Sequence, residues 1–297
     1  MSSPLLVPLP GNEAIASALA RHLGGQVLVP SIRSFPDGEV YLRLDMDLHG
    51  RTVAIVCTLD RPDNKALRLL FAARTVHELG AASIGLVAPY LAYMRQDRRF
   101  QPGEAVTARL FASILSPYFD WLVSVDPHLH RIRALDEIYD IPNKTVHAAP
   151  AIARWIGDNV SIPVLVGPDS ESVQWVSDVA KMTGAPVITL NKTRLGDTTV
   201  RMEGDKLSRW HSHTPVLVDD IISTASTMIE TIRMLREAGL HPPVCIAVHA
   251  IFSNGAYEAL RAAAPSRIVT TNTVAHETNG IDITPLLAHG IAEMAPQ

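Results

Sequence analysis

The sequence predicts an α/β fold in which mostly parallel β-sheets are flanked by α-helices. Short apolar runs alternate along the chain with segments whose apolar residues recur at helical spacing. Hydrophobic residues make up 47% of the 297 residues, which is enough to cover both faces of such sheets. At roughly 100–200 residues per domain, this length favours two domains.

The strand and helix predictions follow the chain in order. Buried strands are predicted from the apolar runs at residues 53–57, 84–88, 121–125, 164–166, 187–190, 215–218 and 244–248. Helices are predicted at residues 63–79, 107–115, 172–183 and 227–238, and three of the four end at a glycine. Two series of such units, separated by a proline-containing linker at 138–151, predict domains at residues 1–147 and 148–279.

Composition and charge exclude several classes of partner. Only 19% of residues are charged and the net charge is −4, so we expect no nucleic-acid partner. Residues 1–10 lack the pattern of a signal peptide, and no apolar run approaches the ~20 residues that span a membrane. The two cysteines, Cys57 and Cys245, lie in apolar runs, which predicts buried free thiols and a cytoplasmic location.

Residues 216–227 are the most informative segment. An apolar run meets Asp219 and Asp220, and a hydroxyl-rich bend then precedes a helical pattern. Loop amides and a helix N-terminus bind phosphate, whereas the two acids suit sugar hydroxyls or a metal-bound water. The segment therefore predicts a site for a phosphorylated sugar. The alternative is an ordinary strand–turn–helix whose acids cap the helix.

Two segments of the N-terminal half carry groups suited to a nucleotide. At residues 34–39, Phe35 could stack on a base while Asp37 and Glu39 accept hydrogen bonds from an amino group; the alternative is a plain turn before a strand at 40–44. The arginine-rich segment 93–100 follows a predicted strand, and guanidinium groups match phosphate oxygens. A solvated basic loop is its alternative.

Three further segments suggest metal and phosphoryl chemistry. His128 stands beside Asp126 at a strand end, where it could bind a metal ion, its water or a phosphate. Asp169 follows another strand and could bind a divalent cation, unless the segment only caps a helix. Lys192 and Arg194 alternate, so in an extended segment both face one side and could stabilise a transferring phosphoryl group. A solvated hairpin is the alternative for the last pair.

These motifs, in this order, resemble the ribose-phosphate pyrophosphokinase family. The resemblance rests on Phe-Pro-Asp-Gly-Glu at 35–39, Tyr-Met-Arg-Gln-Asp-Arg at 93–98, Asp-Pro-His at 126–128, Pro-Asp at 168–169, Lys-Thr-Arg at 192–194 and the loop at 219–227. It extends from residue 35 to about residue 273 and is closer to the archaeal-like branch.

The resemblance implies two type I phosphoribosyltransferase-like domains, with residues from about 280 to 297 packed back on the first. It implies transfer of the diphosphate of ATP to the 1-hydroxyl of ribose 5-phosphate, which gives phosphoribosyl pyrophosphate and AMP for nucleotide biosynthesis. It further implies a requirement for Mg²⁺ and a homo-oligomer, a dimer or larger, whose adenine site is shared across a subunit interface.

By resemblance, each matching residue also has a role. The ATP-binding residues are Phe35, Asp37, Glu39, Arg95, Gln96, Asp97 and His128. The ribose 5-phosphate residues are Asp219, Asp220, Ser223, Thr224, Ala225, Ser226 and Thr227. Lys192 and Arg194 match the catalytic pair, and His128 and Asp169 match positions associated with the magnesium–ATP complex.

Three departures from the family pattern leave alternatives open. Ala225-Ser226 replaces a frequent pair of glycines, Ser223 replaces a frequent third acid, and residues 170–172 replace a small or glycine-rich run. A catalytically weak regulatory paralogue is therefore an alternative, although Lys192 and Arg194 are retained. A phosphoribosyltransferase is a second alternative, which the two-domain length disfavours.

Overall fold

Two parallel β-sheets flanked by helices form the fold, as the sequence predicts. A computed structural model describes residues 3–167, 173–189 and 207–296. The chain divides into a first unit, Met1–His147 with Ile283–Gln297, and a second unit, Ala148–Asp282. The segment 138–151, predicted as a linker, contains an edge strand and the start of a helix.

The first unit is built on a five-stranded sheet. Seven strands belong to this unit, five of them in the sheet: β1 (Leu5–Pro8), β2 (Ser31–Ser34), β3 (Val40–Arg43), β4 (Thr52–Val56), β5 (Ser83–Ala88), β6 (Trp121–Val125) and β7 (Asn143–Val146). Its first three helices are α1 (Glu13–Leu23), α2 (Asp63–Glu78) and α3 (Thr107–Leu115). The sheet has the parallel order β1-β4-β5-β6-β7, while β2 and β3 form a separate antiparallel hairpin.

The second unit is built on a six-stranded sheet. Its strands are β8 (Pro163–Gly167), β9 (Val187–Thr189), β10 (Thr214–Ile222), β11 (Val244–Ala250), β12 (Arg267–Thr271) and β13 (Asn279–Ile281). Its helices are α4 (Ala149–Asn159), α5 (Val173–Thr183), α6 (Ser226–Glu237) and α7 (Ala256–Ala262). The strands pair in parallel in the order β13-β12-β11-β10-β8-β9.

This strand order creates a topological switch point in the second unit. From β8 the chain passes to β9 on one side and then returns to β10 on the other side. Connections that leave in opposite directions open a crevice at the carboxyl ends of the two strands, where ligands of open α/β sheets bind. The segment after β10 is therefore in the position of a ligand-binding loop.

The last helix, α8 (Thr284–Met294), belongs to the first unit. It contacts α1, β6 and β7 and buries Leu287 and Ile291. Gly290 lies at the closest approach, because a Cβ atom there would stand 2.7 Å from Cγ2 of Val146. Within the described ranges, no helix is long and apolar enough to cross a membrane.

The hydrophobic pattern located part of the elements and missed the rest: strands β1, β2, β7, β12 and β13 and helices α1, α4, α7 and α8. All predicted strands and helices are present, and most bounds agree within two residues. Among the predicted elements, the largest difference in bounds is at β10, which continues four residues beyond its predicted end at residue 218 because Ile221 and Ile222 pair with His249 and Ala250 of β11.

Candidate active site

The two acids of the second unit lie within the last residues of β10, and the prediction that the strand stops before them is wrong. Asp219 and Asp220 are both half-buried, and the Asp220 amide donates to Oδ1 of Asp219 at 3.0 Å. Asp219 is paired with Ala247 of β11. The acids therefore lie beyond Leu217, the last residue of β10 whose pairing with β8 is described, at the edge where the switch point opens.

A tight bend connects β10 to α6. Ala225 has φ +61° and ψ 3°, the left-handed conformation, and directly precedes the helix. The Ser226 hydroxyl donates to Oγ1 of Thr224 at 3.1 Å, and both side chains are exposed. Alanine has no side-chain acceptor that could cap the first amides of α6, and the Ser226 amide reaches Oγ1 of Thr224 only at 3.5 Å, so these donors suit an external anion. All seven predicted ribose 5-phosphate residues lie in this strand end, the bend and the first turn of α6.

The β2–β3 hairpin of the first unit carries the predicted adenine-binding residues. Its turn is closed by bonds from the Phe35 amide to the Glu39 carbonyl at 2.8 Å and from the Gly38 amide to the Phe35 carbonyl at 2.9 Å. Gly38 has φ +95°, which favours glycine at this position. The Asp37 carboxylate accepts a hydrogen bond from the Glu39 amide at 3.2 Å, so part of its capacity to accept hydrogen bonds is used within the turn.

The Phe35 ring is 38% exposed and is held from one side. The Arg33 guanidinium lies 4.7 Å from the centroid of that ring and 4.5 Å from the centroid of Tyr41. The two rings meet edge to face at 6.5 Å. This packing orients an aromatic surface that a base could use.

The segment with the predicted ATP-binding residues follows β5. Arg95 is exposed, while Gln96 is half-buried and donates to Glu104 at 3.4 Å. Just before them, Tyr93 adopts φ +62°, and its hydroxyl donates to the Asp63 carboxylate at the start of α2. This hydrogen bond raises the pKa of Tyr93, with smaller contributions from burial and from the charge of Asp63.

The Asp97 carboxylate is bound by another side chain of the protein. The side chain of Asp97 is only 3% exposed, and it forms an ion pair with Arg131. Burial alone would raise the pKa of this carboxyl group, but hydrogen bonds from the Arg131 amide and guanidinium, together with the positive charge, lower it overall. The carboxylate predicted to contact ATP thus already has a charged partner.

Histidines surround the carboxyl ends of β6 and β7. Asp126 is buried with φ +33°, and its Oδ1 lies 2.8 Å from Nδ1 of His147. His128 is half-buried, and its Nε2 lies 2.6 Å from Nε2 of His130. Sequence reasoning missed His147, although its place directly after a strand neighbouring β6 is a signal that could have identified it.

Three of the predicted site residues lie outside the part of the chain that the structure describes. Asp169, Lys192 and Arg194 lie outside the described residues, as do the variant residues 170–172. Among the residues that are described, no group of three or more histidine, cysteine, aspartate and glutamate side chains is arranged to hold a metal ion.

Comparison with known proteins identifies both units. A family model described as the N-terminal domain of ribose phosphate pyrophosphokinase matches residues 5–118. A second model, described as a phosphoribosyl transferase domain, matches residues 134–284. Together these models span most of the chain.

Full-length relatives and a solved structure agree with these models. The Methanosarcina acetivorans protein named ribose-phosphate pyrophosphokinase is 32% identical, over 96% of this chain and 98% of its own. Its counterpart from Methanopyrus kandleri is 31% identical, over 93% and 94%. The phosphoribosylpyrophosphate synthetase crystal structure from Mycobacterium smegmatis superposes with a TM-score of 0.83 at 26% identity, covering 97% of this chain and 98% of that one. The chain belongs to the ribose-phosphate pyrophosphokinase family.

Proposed function

We propose that the protein transfers the diphosphate group of ATP, as one unit, to the 1-hydroxyl of ribose 5-phosphate, giving phosphoribosyl pyrophosphate and AMP. The observation that carries the proposal is the bend between β10 and α6, which combines two carboxylates with exposed hydroxyls and helix amides beside a switch point. The names of the full-length relatives support the same reaction.

The ribose 5-phosphate contacts divide by charge. Asp219 and Asp220 accept hydrogen bonds from the ribose hydroxyls, because carboxylates would repel the phosphate. The hydroxyls of residues 223, 224, 226 and 227 and the first amides of α6 donate to the 5-phosphate. Sugar and phosphate are thereby held at two ends of one bend, which orients the 1-hydroxyl for attack.

The ATP contacts lie in the first unit. Phe35 stacks on the adenine, and the carboxylates of Asp37 and Glu39 accept bonds from its amino group. Arg95 and Gln96 contact the nucleotide, with the Arg95 guanidinium suited to phosphate oxygens. Because the buried Asp97 carboxylate is bonded to Arg131, we assign it a supporting role.

The donor groups fit Mg²⁺ with only a few protein ligands. Magnesium prefers oxygen ligands, retains several waters and is usually held by one or two carboxylates together with substrate phosphates. Asp169 would supply the carboxylate, and His128 would contact a metal-bound water or a phosphate. When bound, Mg²⁺ neutralises charge on the phosphates.

Positioning and charge stabilisation account for the remaining chemistry. The 1-hydroxyl attacks the β-phosphorus in line with the bridging oxygen that leaves on AMP. Lys192 and Arg194 stabilise the negative charge that develops on the transferring group. We assign the enzyme to the cytoplasm as a homo-oligomer, a dimer or larger, in which a neighbouring subunit completes the adenine site.

The proposal is tested by following both products. Purified protein would be incubated with Mg²⁺, ATP and ribose 5-phosphate, with controls that omit ribose 5-phosphate or replace ATP by ADP. Equal amounts of AMP and phosphoribosyl pyrophosphate, formed only in the complete mixture, are expected. Bound ATP without either product would contradict the proposal and favour a regulatory paralogue with an inactive 223–227 bend.

A further inference from the structure

Asp97 and Arg131 form the best-defined ion pair near the proposed ATP-binding residues. Nη1 of Arg131 donates to Oδ1 and Oδ2 of Asp97 at 3.1 and 3.4 Å, and the Arg131 amide donates to Oδ2 at 3.0 Å. The Asp97 side chain is 3% exposed and the Arg131 side chain 44% exposed. A buried carboxylate that accepts three hydrogen bonds from two nitrogens of one residue fixes both the side chain and the backbone of that partner.

The pair joins two segments that are distant in sequence. Asp97 directly follows Arg95 and Gln96, and Arg131 comes three residues after His128, so the bond links both proposed ATP-contacting segments. The Arg131 guanidinium also lies 5.4 Å from the centroid of Phe100, which extends the contact along the first segment. A displacement of either segment would therefore displace the other.

The first segment is also fixed at its other end. Tyr93 bonds to Asp63 of α2, and its ring lies 4.7 Å from that of Phe111 in α3. Arg95 and Gln96 are thus held between an anchor on the helices and an anchor on the segment of His128. A chain restrained on both sides loses less conformational freedom when it binds a ligand.

We propose that Asp97 and Arg131 are positioning residues that hold Arg95 and His128 in their relative places for the ATP phosphates. The proposal rests on the proposed function, because it presumes that Arg95 and His128 contact ATP. Asp97 acts through Arg131 and does not touch the nucleotide.

Three variants separate the bonds. Arg131→Ala removes the guanidinium and leaves the amide bond, whereas Asp97→Ala removes every bond of the pair. Charge-assisted bonds of this kind correspond to about 10- to 100-fold in an equilibrium constant. We expect the KM for ATP to rise about tenfold in Arg131→Ala and further in Asp97→Ala, with the KM for ribose 5-phosphate unchanged. The double variant should have the same KM for ATP as Asp97→Ala, because the bonds lost in Arg131→Ala are among those already lost in Asp97→Ala.

Two controls address a merely structural effect. Arg131→Lys retains one charged donor and should restore part of the ATP affinity lost in Arg131→Ala. Arg74→Ala breaks an exposed ion pair with Glu78 on α2 and should leave both KM values unchanged. If Arg131→Ala keeps its melting temperature and its KM for ATP, or raises both KM values equally, the positioning role is wrong.

Direct ATP binding, measured by calorimetry, distinguishes this inference from the reaction itself. Weakened ATP binding in Arg131→Ala supports the link even if the wild-type protein forms no product, which would contradict only the proposed reaction. If the wild-type protein is active and Arg131→Ala binds ATP as tightly as the wild type, the positioning role of Asp97 and Arg131 is wrong, while the proposed reaction is unaffected.

Discussion

Ser253 anchors Ser223 through two hydrogen bonds. The Ser253 amide and hydroxyl donate to the Ser223 carbonyl at 2.9 and 3.2 Å. Because Ser253 follows β11, the neighbour of β10, the bend that begins at Ser223 is fixed to the next loop of the same sheet edge. The proposed phosphate-binding bend is thus held by protein contacts on one side, while the side chains of Thr224 and Ser226 are exposed.

The left-handed residue of this bend provides the first prediction. An alanine at φ +61° costs about 1–2 kcal/mol relative to a right-handed conformation, glycine adopts this φ freely, and a β-branched residue is disfavoured further. We expect Ala225→Gly to keep the KM for ribose 5-phosphate within about threefold, and Ala225→Val to raise it at least about tenfold. Steady-state kinetics with saturating ATP would measure both values. Equal values for the two variants would show that the conformation of residue 225 does not control phosphate binding.

The acids of β10 provide the second prediction. If the Asp220 carboxylate accepts a bond from a ribose hydroxyl, Asp220→Asn should weaken ribose 5-phosphate binding about 10- to 100-fold. Titration calorimetry measures this affinity without turnover. Asp178→Asn is the matched control in the same unit, because Asp178 forms a surface ion pair with Lys181. If the Asp220→Asn protein binds ribose 5-phosphate with wild-type affinity, the Asp220 carboxylate does not contact the ribose.

The contact between Gly85 and Trp121 provides a prediction about stability. These residues are paired on β5 and β6, and a Cβ atom at Gly85 would lie 2.1 Å from the indole ring. The indole is 2% exposed and its Nε1 donates to the Ser83 hydroxyl at 3.2 Å, so it cannot easily move. We expect Gly85→Ala to lower the free energy of unfolding by about 1–3 kcal/mol.

A double-mutant cycle in urea checks the cause of this loss. Trp121→Leu makes room for the added methyl group, so the double variant should be more stable than the sum of the two single changes predicts. Additive effects would show that the indole ring is not what excludes a side chain at residue 85.

The two thiols provide a prediction about alkaline pH. Burial raises the pKa of Cys57 and of Cys245 to about 12 from an ordinary 9.0; for Cys57 the charge of Lys65 opposes this shift. Between these values the unfolded thiol has lost a proton that the folded thiol retains, so stability falls as pH rises, by about 1.4 kcal/mol per pH unit for each thiol. Cys245→Ala should reduce that slope by one such increment, as measured by denaturant unfolding at several pH values. An unchanged slope would mean that the thiol is not protected.

Local pattern was sufficient for part of the fold and insufficient for the rest. The apolar runs of β4, β5 and β11 are long enough to identify buried strands. By contrast, β2 and β12 mix polar residues with apolar ones and contain no long apolar run, so the pattern missed both. Asp219 and Asp220 belong to β10 because β11 supplies hydrogen-bonding partners beyond them, which polarity alone does not reveal.

The candidate site shows the same division. The bend after β10 is continuous in sequence, so its composition predicts its chemistry. The bond between Asp97 and Arg131 joins residues 34 positions apart, and the one between Asp126 and His147 joins residues 21 apart. Only folding brings such pairs together, which is why sequence reasoning did not foresee the ion pair of Asp97 and missed His147.

Isotopic labelling of ATP distinguishes transfer of the intact diphosphate from transfer of a single phosphoryl group. ATP labelled at the β-phosphorus would be incubated with Mg²⁺ and ribose 5-phosphate, and the products separated. If the diphosphate moves as one unit, the label appears in phosphoribosyl pyrophosphate and the AMP formed is unlabelled. Label that remains with the adenosine moiety, as ADP, would show that a single phosphoryl group is transferred and that the proposed reaction is wrong.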